Sequence, residues 1–368
     1  MKLICKQSDL ANALNIVQKA ISSKTTLPIL TGVLLEAKNG SLKLTGNDLS
    51  IGIEKSIEAE ISEEGTTVVS SRIFGDFIRK LPNDKVELTM ENSKLTIECY
   101  KSHIDLVTYD AIEYPELPKV VESNAFKINK MLLKNMIKQT IFATSQDETR
   151  PILTGSYIEL SNEQISMVAI DGFRVAIRTS KLNTPIESKI VVPAKTLNEI
   201  NKILGSSEDN DQIEIFITDK NILFKIDDIK IVSRLLEGEY VKYSQMIPNE
   251  FKTKIEINTA NLLNGIERVS LLSREGKNNS IKLSIKDNSL EISSIVEIGM
   301  ANDEIPLKLE GNTLDIGFNP KYLIDVLKVI DSEIIYMEFL ANISPCIIRP
   351  QNNDNYTYLV LPVRIPNS

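Results

Sequence analysis

The chain has 368 residues, of which 42% are hydrophobic and 25% are charged, and its formal net charge is −8. This length predicts two or three domains of ordinary size, and the composition is that of a globular protein rather than a disordered or fibrous one. The negative charge argues against a simple basic nucleic-acid module, but an acidic chain can still carry one basic channel.

The same composition predicts where the chain works. No apolar run reaches the roughly 18 residues of a membrane span, and the polar start at Met1 to Lys6 is not typical of a signal peptide. The three cysteines, Cys5, Cys99 and Cys346, are far apart, which predicts neither a disulfide framework nor a CxxC metal site. We therefore expect a cytosolic protein.

The first part of the chain alternates strand and helix patterns. A β-like run at 2–5 precedes a helix whose apolar face carries Leu10, Leu14 and Val17, and Ser8 is the expected N-cap. Asn39-Gly40 predicts a hairpin turn. The other expected elements are strands at 28–37, 41–45, 51–61 and 66–69, a helix at 72–81, and strands at 86–90, 95–99 and 104–109.

The chain then repeats itself. Pro28-Ile29-Leu30-Thr31-Gly32 recurs at residues 151–155, an offset of 123 (151 − 28), and Asp48 corresponds to Asp171 at the same offset (171 − 48). A third copy begins near Lys254, and its second helix is expected at 320–330, with proline in the first turn. These repeats predict three α+β domains at 1–121, 122–250 and 251–368, each made of two βαβββ units.

The residues that usually carry catalysis are missing. His103 is the one histidine, and it lies in an alternating strand pattern that places it toward solvent. The sequence contains no GxSxG, Walker or GxGxxG motif, so we expect neither an enzyme nor a cofactor. Two alternatives stay open: an enzyme built from repeated α+β units, and a protein-interaction scaffold with no role on DNA.

Basic residues recur at matching places of the copies. Solvated helix faces would explain each one singly, but their recurrence favours a surface that neutralises phosphates without reading bases. The candidates for a surface facing DNA are Lys24, Arg72, Lys134, Lys138, Arg150, Lys195 and Lys321.

Together these features resemble the bacterial DNA sliding clamp family, the β subunit of DNA polymerase III. The resemblance rests on the triple repeat and on five segments in the expected order: 27–30, 150–155, 171–174, 236–240 and 358–365. It implies three tandem DNA-clamp domains and a head-to-tail homodimer. Such a dimer closes a ring around double-stranded DNA, with the sheets outside and the helices inside. Contacts between the two chains would involve Ile104, Leu106, Leu271 and Leu272.

The resemblance also implies partners that dock short hydrophobic peptides. These would be the clamp loader, the replicative polymerase alpha subunit, and clamp-motif proteins such as repair polymerases, ligase and mismatch repair proteins, in a cytoplasmic, nucleoid-associated setting. A place in the core is equally consistent for Leu153, Val175, Ile343 and Leu359. The implied pocket consists of Leu153, Ile170, Gly172, Phe173, Arg174, Val175, Val241, Met246, Asn319, Tyr322, Ile343, Pro345, Leu359, Leu361, Pro362, Val363 and Arg364.

Five positions depart from the family's usual pattern, and one of them is Lys277, which stands near a position that is often aromatic. Phe173 stands where histidine is common, Ile170 where a small or hydroxylated residue is common, Val241 where proline is common, and Gln245 where arginine is frequent. These residues make the implied pocket more apolar and less basic. We therefore expect an altered preference among partner peptides.

Overall fold

A computed structural model describes the chain except residues 124, 162, 185, 206–210, 249, 277–278, 352–354 and 365–368, so Lys277 lies outside the described residues. It forms two compact units. The first comprises Met1–Met131 and Lys202–Leu235, and the second comprises Leu132–Asn201 and Leu236–Ser368.

The described residues form six α-helices and twenty-six strands. The helices are α1 (Gln7–Val17), α2 (Ser71–Lys80), α3 (Lys130–Lys138), α4 (Ala194–Ile203), α5 (Thr259–Ser273) and α6 (Pro320–Leu327). The strands are β1 (Lys2–Lys6), β2 (Gly32–Lys38), β3 (Ser41–Asn47), β4 (Ile51–Glu58), β5 (Glu60–Glu63), β6 (Gly65–Ser70), β7 (Lys85–Glu91), β8 (Lys94–Cys99), β9 (Ser102–Tyr109), β10 (Phe126–Asn129), β11 (Gly155–Ser161), β12 (Gln164–Ile170), β13 (Arg174–Lys181), β14 (Ser188–Pro193), β15 (Gln212–Ile217), β16 (Asn221–Ile226), β17 (Ile229–Arg234), β18 (Thr253–Asn258), β19 (Ile281–Ile285), β20 (Ser289–Val296), β21 (Gly299–Pro306), β22 (Lys308–Gly311), β23 (Leu314–Phe318), β24 (Ile334–Phe339), β25 (Cys346–Pro350) and β26 (Tyr356–Val360).

This order confirms the predicted α+β repeat. Each third of the chain runs strand, helix and three strands, twice, with β5 and β22 as short additions in the first and last thirds. Within the first third, the two repeats exchange their first strands, because β6 pairs with β2 and β1 pairs with β7. The exchange ties the two repeats of that third into one structure.

Sheets continue from one third of the chain into the next. In the first unit, a 13-stranded sheet contains the pair β17 and β4, with Ile231 opposite Ile53. In the second unit, a nine-stranded sheet contains the pair β13 and β26, with Val175 opposite Leu359. The second unit also holds a four-stranded sheet in the order β21-β20-β19-β23.

The helices bury the apolar faces that their periodicity predicts. Leu10, Leu14 and Val17 of α1 are fully buried, and Leu262 and Ile266 of α5 likewise lie in the core of their unit. Burial of this kind stabilises each side chain by about 1.5–3 kcal/mol. No described helix is both long and apolar enough to cross a membrane.

Three local predictions were wrong. The two Pro-Ile-Leu-Thr repeats form 3₁₀ helices, Pro28–Thr31 and Pro151–Thr154, and their strands start only at the following glycines. Proline suits the first helical turn, and the Thr31 hydroxyl donates to the Pro28 carbonyl at 2.8 Å. Ser8 is not an N-cap, because α1 already begins at Gln7 and the Ser8 hydroxyl donates to the Asp9 carboxylate.

The third wrong prediction concerns the end of α6. The apolar periodicity extends to Ile330, but the helix ends at Leu327. Val329 and Ile330 remain buried in the core beyond the last helical residue, and the Val329 amide donates to the Val326 carbonyl at 3.2 Å. By contrast, the hairpin turn is confirmed, since Asn39 and Gly40 have φ of 52° and 73°.

Candidate functional site: an apolar groove at the start of β13

The candidate site lies in the second unit where β13 begins and β26 ends, and we call this surface the groove. The two strands are antiparallel, with Arg174 opposite Val360. Beyond the strand, the Leu361 amide donates to the Phe173 carbonyl at 2.8 Å, and the Val363 amide donates to the Gly317 carbonyl at 2.8 Å. These bonds fix the C-terminal residues 361–363 along one side of the groove.

The turn before β13 is built around Asp171. Its Oδ1 atom accepts the Phe173 amide at 2.9 Å and the Arg174 amide at 3.0 Å. Gly172 has φ of +91°, a left-handed conformation that glycine adopts without strain. The turn therefore presents Phe173 outward, and its side chain is 56% exposed.

Arg174 is buried beneath the groove, and its hydrogen bonds connect several of the surrounding residues. It is 6% exposed, and its guanidinium donates to Asp171 Oδ2 at 2.9 Å, Asp325 Oδ2 at 2.7 Å and the Phe142 carbonyl at 2.7 Å. It lies 4.8 Å from the Tyr322 ring centroid and 5.2 Å from that of Phe142. Because these contacts use its donors, Arg174 positions the groove wall rather than offering a charge to a ligand.

An aromatic pair forms that wall. The rings of Phe173 and Tyr322 stack with centroids 5.7 Å apart and an interplanar angle of 17°. Burial is the largest influence on the Tyr322 hydroxyl and raises its pKa, with a further contribution from the nearby Asp171 carboxylate. Tyr322 is therefore neutral near pH 7.

The floor of the groove is a separate apolar cluster. Leu153, Ile170, Val175 and Leu359 are buried in it. Three of them, Leu153, Val175 and Leu359, are among the four residues for which the sequence was equally consistent with a place in the core. Ile343, the fourth, is 83% exposed and belongs to the surface. The core alternative is therefore correct for Leu153, Val175 and Leu359, which form a floor, and wrong for Ile343.

The segment from Val241 to Ile247 borders the same cluster. Tyr240, Tyr243 and Ile247 pack against the floor, whereas Val241 and Met246 are exposed. Tyr240 stacks on Tyr157 with centroids 5.1 Å apart, which anchors this segment to β11. The structure thus brings Leu153, Ile170, Val175, Leu359 and Leu361 of the predicted pocket into one apolar cluster.

Two predicted polar residues of the pocket behave differently. The Asn319 side chain caps α6 by accepting the Lys321 amide at 3.0 Å, so it has a structural role. Arg364 is exposed and forms no salt bridge with any residue that the structure describes. The remaining members, Pro345, Leu361, Pro362 and Val363, are half-buried.

Sequence reasoning missed two partners of Arg174. Phe142 lies 32 residues before it and Asp325 lies 151 residues after it. Neither has a local pattern that singles it out. Only the folded sheet brings them together.

The basic candidates lie on or next to helices. Arg72, Lys195 and Lys321 are each the second residue of α2, α4 and α6. Lys24, Arg72, Lys138, Arg150, Lys195 and Lys321 are exposed and Lys134 is half-buried. All seven therefore lie at the surface of their units.

The residues predicted to join two chains lie on open elements. Ile104 and Leu106 are half-buried on β9, whose residues 102–107 pair with β8 and with no second described strand. Leu271 of α5 is 67% exposed and Leu272 is half-buried. In the described structure β21 also pairs on one side only, with β20.

Other candidate chemistry is sparse in the described structure. His103 is exposed and lies 3.3 Å from both Glu98 and Asp105, as expected for a surface strand. Among the described residues, no group of three or more metal-ligating side chains is close enough to hold an ion.

Comparison with known proteins covers the whole chain. Three family models match in order: the N-terminal domain of the DNA polymerase III beta subunit at residues 1–118, its central domain at 127–242 and its C-terminal domain at 244–364. The Bacillus subtilis "Beta sliding clamp" is 40% identical over 378 residues, covering 99% of this chain and 100% of that protein. A Staphylococcus epidermidis "Beta sliding clamp" is 39% identical over 376 residues, covering 99% of both.

Solved structures agree. The crystal structure of the DNA polymerase sliding clamp from Bacillus subtilis superposes with a TM-score of 0.96 at 39% identity and covers 100% of both chains. The DNA polymerase III beta subunit from Thermotoga maritima gives a TM-score of 0.93 at 30% identity, covering 99% of this chain and 100% of that one. The chain therefore belongs to the DNA polymerase III beta subunit family, the bacterial beta sliding clamps.

Proposed function

We propose that this chain is a sliding clamp that encircles duplex DNA as a head-to-tail homodimer and tethers the replicative DNA polymerase. The observation that carries the proposal is family membership along the full length, in three consecutive clamp domains. Sliding clamps are processivity factors and not catalysts, so membership rejects the alternative of an enzyme. We propose domain limits of 1–121, 122–250 and 251–368, and a cytoplasmic, nucleoid-associated location.

Two open strand edges support the dimer. β9 and β21 each leave one edge without a described neighbour, and such edges readily pair with another chain. Exposed apolar side chains accompany them: Val107 on β9, Met300 on β21 and Leu271 on α5. In our proposal β9 of one chain and β21 of its partner join the two chains, and Ile104 and Leu106 meet Leu271 and Leu272.

The starts of three helices support DNA binding. Arg72, Lys195 and Lys321 occupy the second position of α2, α4 and α6, and none of these helices has an acidic residue in its first turn. A cation there opposes the helix dipole at a cost of about 0.3–1 kcal/mol. A phosphate held by the helix N-terminus and the cation together would offset that cost, and repetition in three domains supports this interpretation.

The remaining basic candidates would add to the same surface. Lys24, Lys138, Arg150 and Lys321 form no salt bridge with any described residue, so these cations are available to phosphates. Contacts of this kind carry no base sequence information, which suits a clamp that must slide.

The groove is the proposed docking site for partner peptides. A buried apolar floor, an exposed aromatic wall and exposed residues such as Met246 and Ile343 fit a short hydrophobic segment. The clamp loader, the polymerase alpha subunit, repair polymerases, ligase and mismatch repair proteins would compete for it. Since Phe173 and Ile170 make the surface apolar, we propose that its ranking of partner peptides differs from that of relatives with a histidine and a small residue there.

Retention on closed circular DNA tests the ring. The protein is loaded by its clamp loader with ATP, washed in high salt, and measured before and after the circle is cut. A ring stays on the circle and leaves the linear DNA, because salt strips a complex held by charge alone. Loss from both forms would contradict the proposal.

Matched variants make this test specific. Leu271→Glu places a charge at the proposed interface between chains and should abolish retention. Val121→Glu changes another highly exposed apolar residue, outside β9, β21 and α5, and should leave retention intact. Equal retention of both variants would contradict the proposed interface.

The helix starts have their own test. Replacing Arg72, Lys195 and Lys321 with alanine should reduce the salt dependence of DNA binding, by up to about one unit of slope for each phosphate that is no longer neutralised. Lys80→Ala removes a cation from the last turn of α2, where the dipole favours it, and serves as the control. An unchanged slope in the triple variant would contradict the proposed phosphate binding.

A further inference from the structure

A cavity of about 290 Å³ lies in the second unit beside the groove. Its walls come from the segment after Met246, from β24 and β25, and from the loop between these strands. Six of its lining residues are apolar: Ile247, Pro248, Phe251, Leu340, Pro345 and Ile347. The volume lies at the lower end of sites for small ligands, so it suits one large side chain.

The cavity adjoins the apolar cluster that forms the groove floor. Ile347 belongs to the buried cluster that forms the groove floor, and Ile247 packs against that cluster. Pro345 lines the cavity and is one of the residues predicted for the pocket. A peptide that lies over the floor cluster and extends past Ile247 would therefore reach the cavity.

The charges around the cavity are already satisfied or in water. Glu338 is paired with Arg349 and lies 3.6 Å from Lys254. Glu250, the other carboxylate of the lining, is exposed to solvent. An apolar occupant therefore leaves no charge buried without a partner.

We propose that this cavity receives one large apolar side chain that flanks the docking core of a partner peptide. The inference rests on the proposed function of the groove and extends it from one docking surface to two. The half-buried Leu340 and the Phe251 side chain, which is 41% exposed, form accessible walls of the second surface. Partners that carry such a flanking residue gain affinity over partners that carry only the core.

The experiment measures peptide affinity by fluorescence anisotropy. The probe is the docking segment of the replicative polymerase alpha subunit from the same organism, with serine, leucine or lysine placed in turn at each position flanking the core. We expect leucine to bind about tenfold tighter than serine at one flanking position, the effect of burying one apolar side chain. Equal affinity of leucine and serine at every position would overturn the inference, as would a preference for lysine.

Two variants test whether the affinity gained from leucine arises in the cavity. Leu340→Trp fills the space and Phe251→Ser removes a wall, and either should reduce the leucine advantage to less than about twofold. Both should leave the affinity of the unextended core within about twofold, because neither residue belongs to the groove. A leucine advantage that persists in both variants would overturn the assignment to this cavity. Failure of the core peptide to bind the unaltered protein would instead overturn the groove itself, and the inference with it.

Discussion

The chain contains the same strand junction twice, and the candidate docking site lies at the second one. β4 pairs with β17 in the first unit, and β13 pairs with β26 in the second. The turns before β4 and β13 are equivalent: Asp48 accepts the Ile51 amide at 2.8 Å, as Asp171 accepts the Arg174 amide at 3.0 Å. The two junctions therefore share their strand pairing and the hydrogen bonding of their turns.

The segments near the ends of the first and second domains are equivalent as well. The Tyr114 hydroxyl donates to the Thr45 carbonyl at 3.3 Å, and the Tyr240 hydroxyl donates to the Val168 carbonyl at 3.4 Å. The two acceptors are themselves separated by the repeat offset of 123 (168 − 45). The repeat thus extends to single hydrogen bonds.

The difference lies in a few side chains. The first turn presents Ser50 and the buried Ile51, where the second presents the exposed Phe173 and the buried Arg174. In the first junction Leu117 packs closely against Gly52, leaving no room there for even a methyl group. A shared backbone becomes a binding surface when such side chains change, which is why function has to be argued from the site and not from the fold.

The largest expected effect comes from Arg174→Ala. This change removes the guanidinium that pairs with the Asp171 and Asp325 carboxylates and that lies over the Tyr322 ring. We expect the free energy of unfolding to fall by about 3 kcal/mol and peptide binding to be lost. Thermal unfolding and anisotropy measure both. Ile51→Val, at the equivalent position, should cost only about 1 kcal/mol and leave peptide binding unchanged.

Phe173→Ala tests the aromatic wall. The side chain is more than half exposed, so stability should change little, but loss of the stacked surface should weaken peptide binding about tenfold. Ser50→Ala, the matching change in the first junction, should alter neither quantity. Phe173→His should move the ranking of partner peptides toward that of relatives with histidine, and an unchanged ranking would contradict our view of specificity.

Asn319→Ala tests a residue that the sequence assigned to the pocket. Its side chain caps α6, so its loss should lower the free energy of unfolding by about 1 kcal/mol. Asn319→Ser retains a cap and should recover most of that loss. If both variants lose peptide affinity equally while stability is recovered in one, the amide itself contacts the peptide.

The smallest expected effect on stability comes from substitutions in the turns before β4 and β13. Gly172 and Leu49 are equivalent positions with φ of 91° and 72°. Gly172→Ala should cost about 1 kcal/mol, because residues with a Cβ avoid this conformation. Leu49→Gly should be neutral or stabilising by less than about 1 kcal/mol, since the relief of strain is partly cancelled by unfolded-chain entropy. Denaturant unfolding of both variants would show whether the first turn is strained.

Much of this architecture was predictable from periodicity and repetition. The apolar face of α1 and the turn at Asn39-Gly40 depend on neighbouring residues, so local patterns were sufficient. Local patterns failed at the Pro-Ile-Leu-Thr segments, whose apolar residues suit a strand while their proline and threonine favour a 3₁₀ turn. Asn319 shows the limit for the site, because the sequence did not predict the hydrogen bond by which its side chain caps α6.

By itself the sequence determined the triple repeat, the α+β domains and the family, because these follow from spacing along the chain. Tertiary structure decided what individual residues do. It placed Leu153 in the buried floor of the groove and Ile343 at the surface. It also brought Phe142 and Asp325, from distant parts of the chain, to Arg174. Burial and hydrogen-bond partners are set by pairing of strands far apart in sequence, so no local pattern contains them.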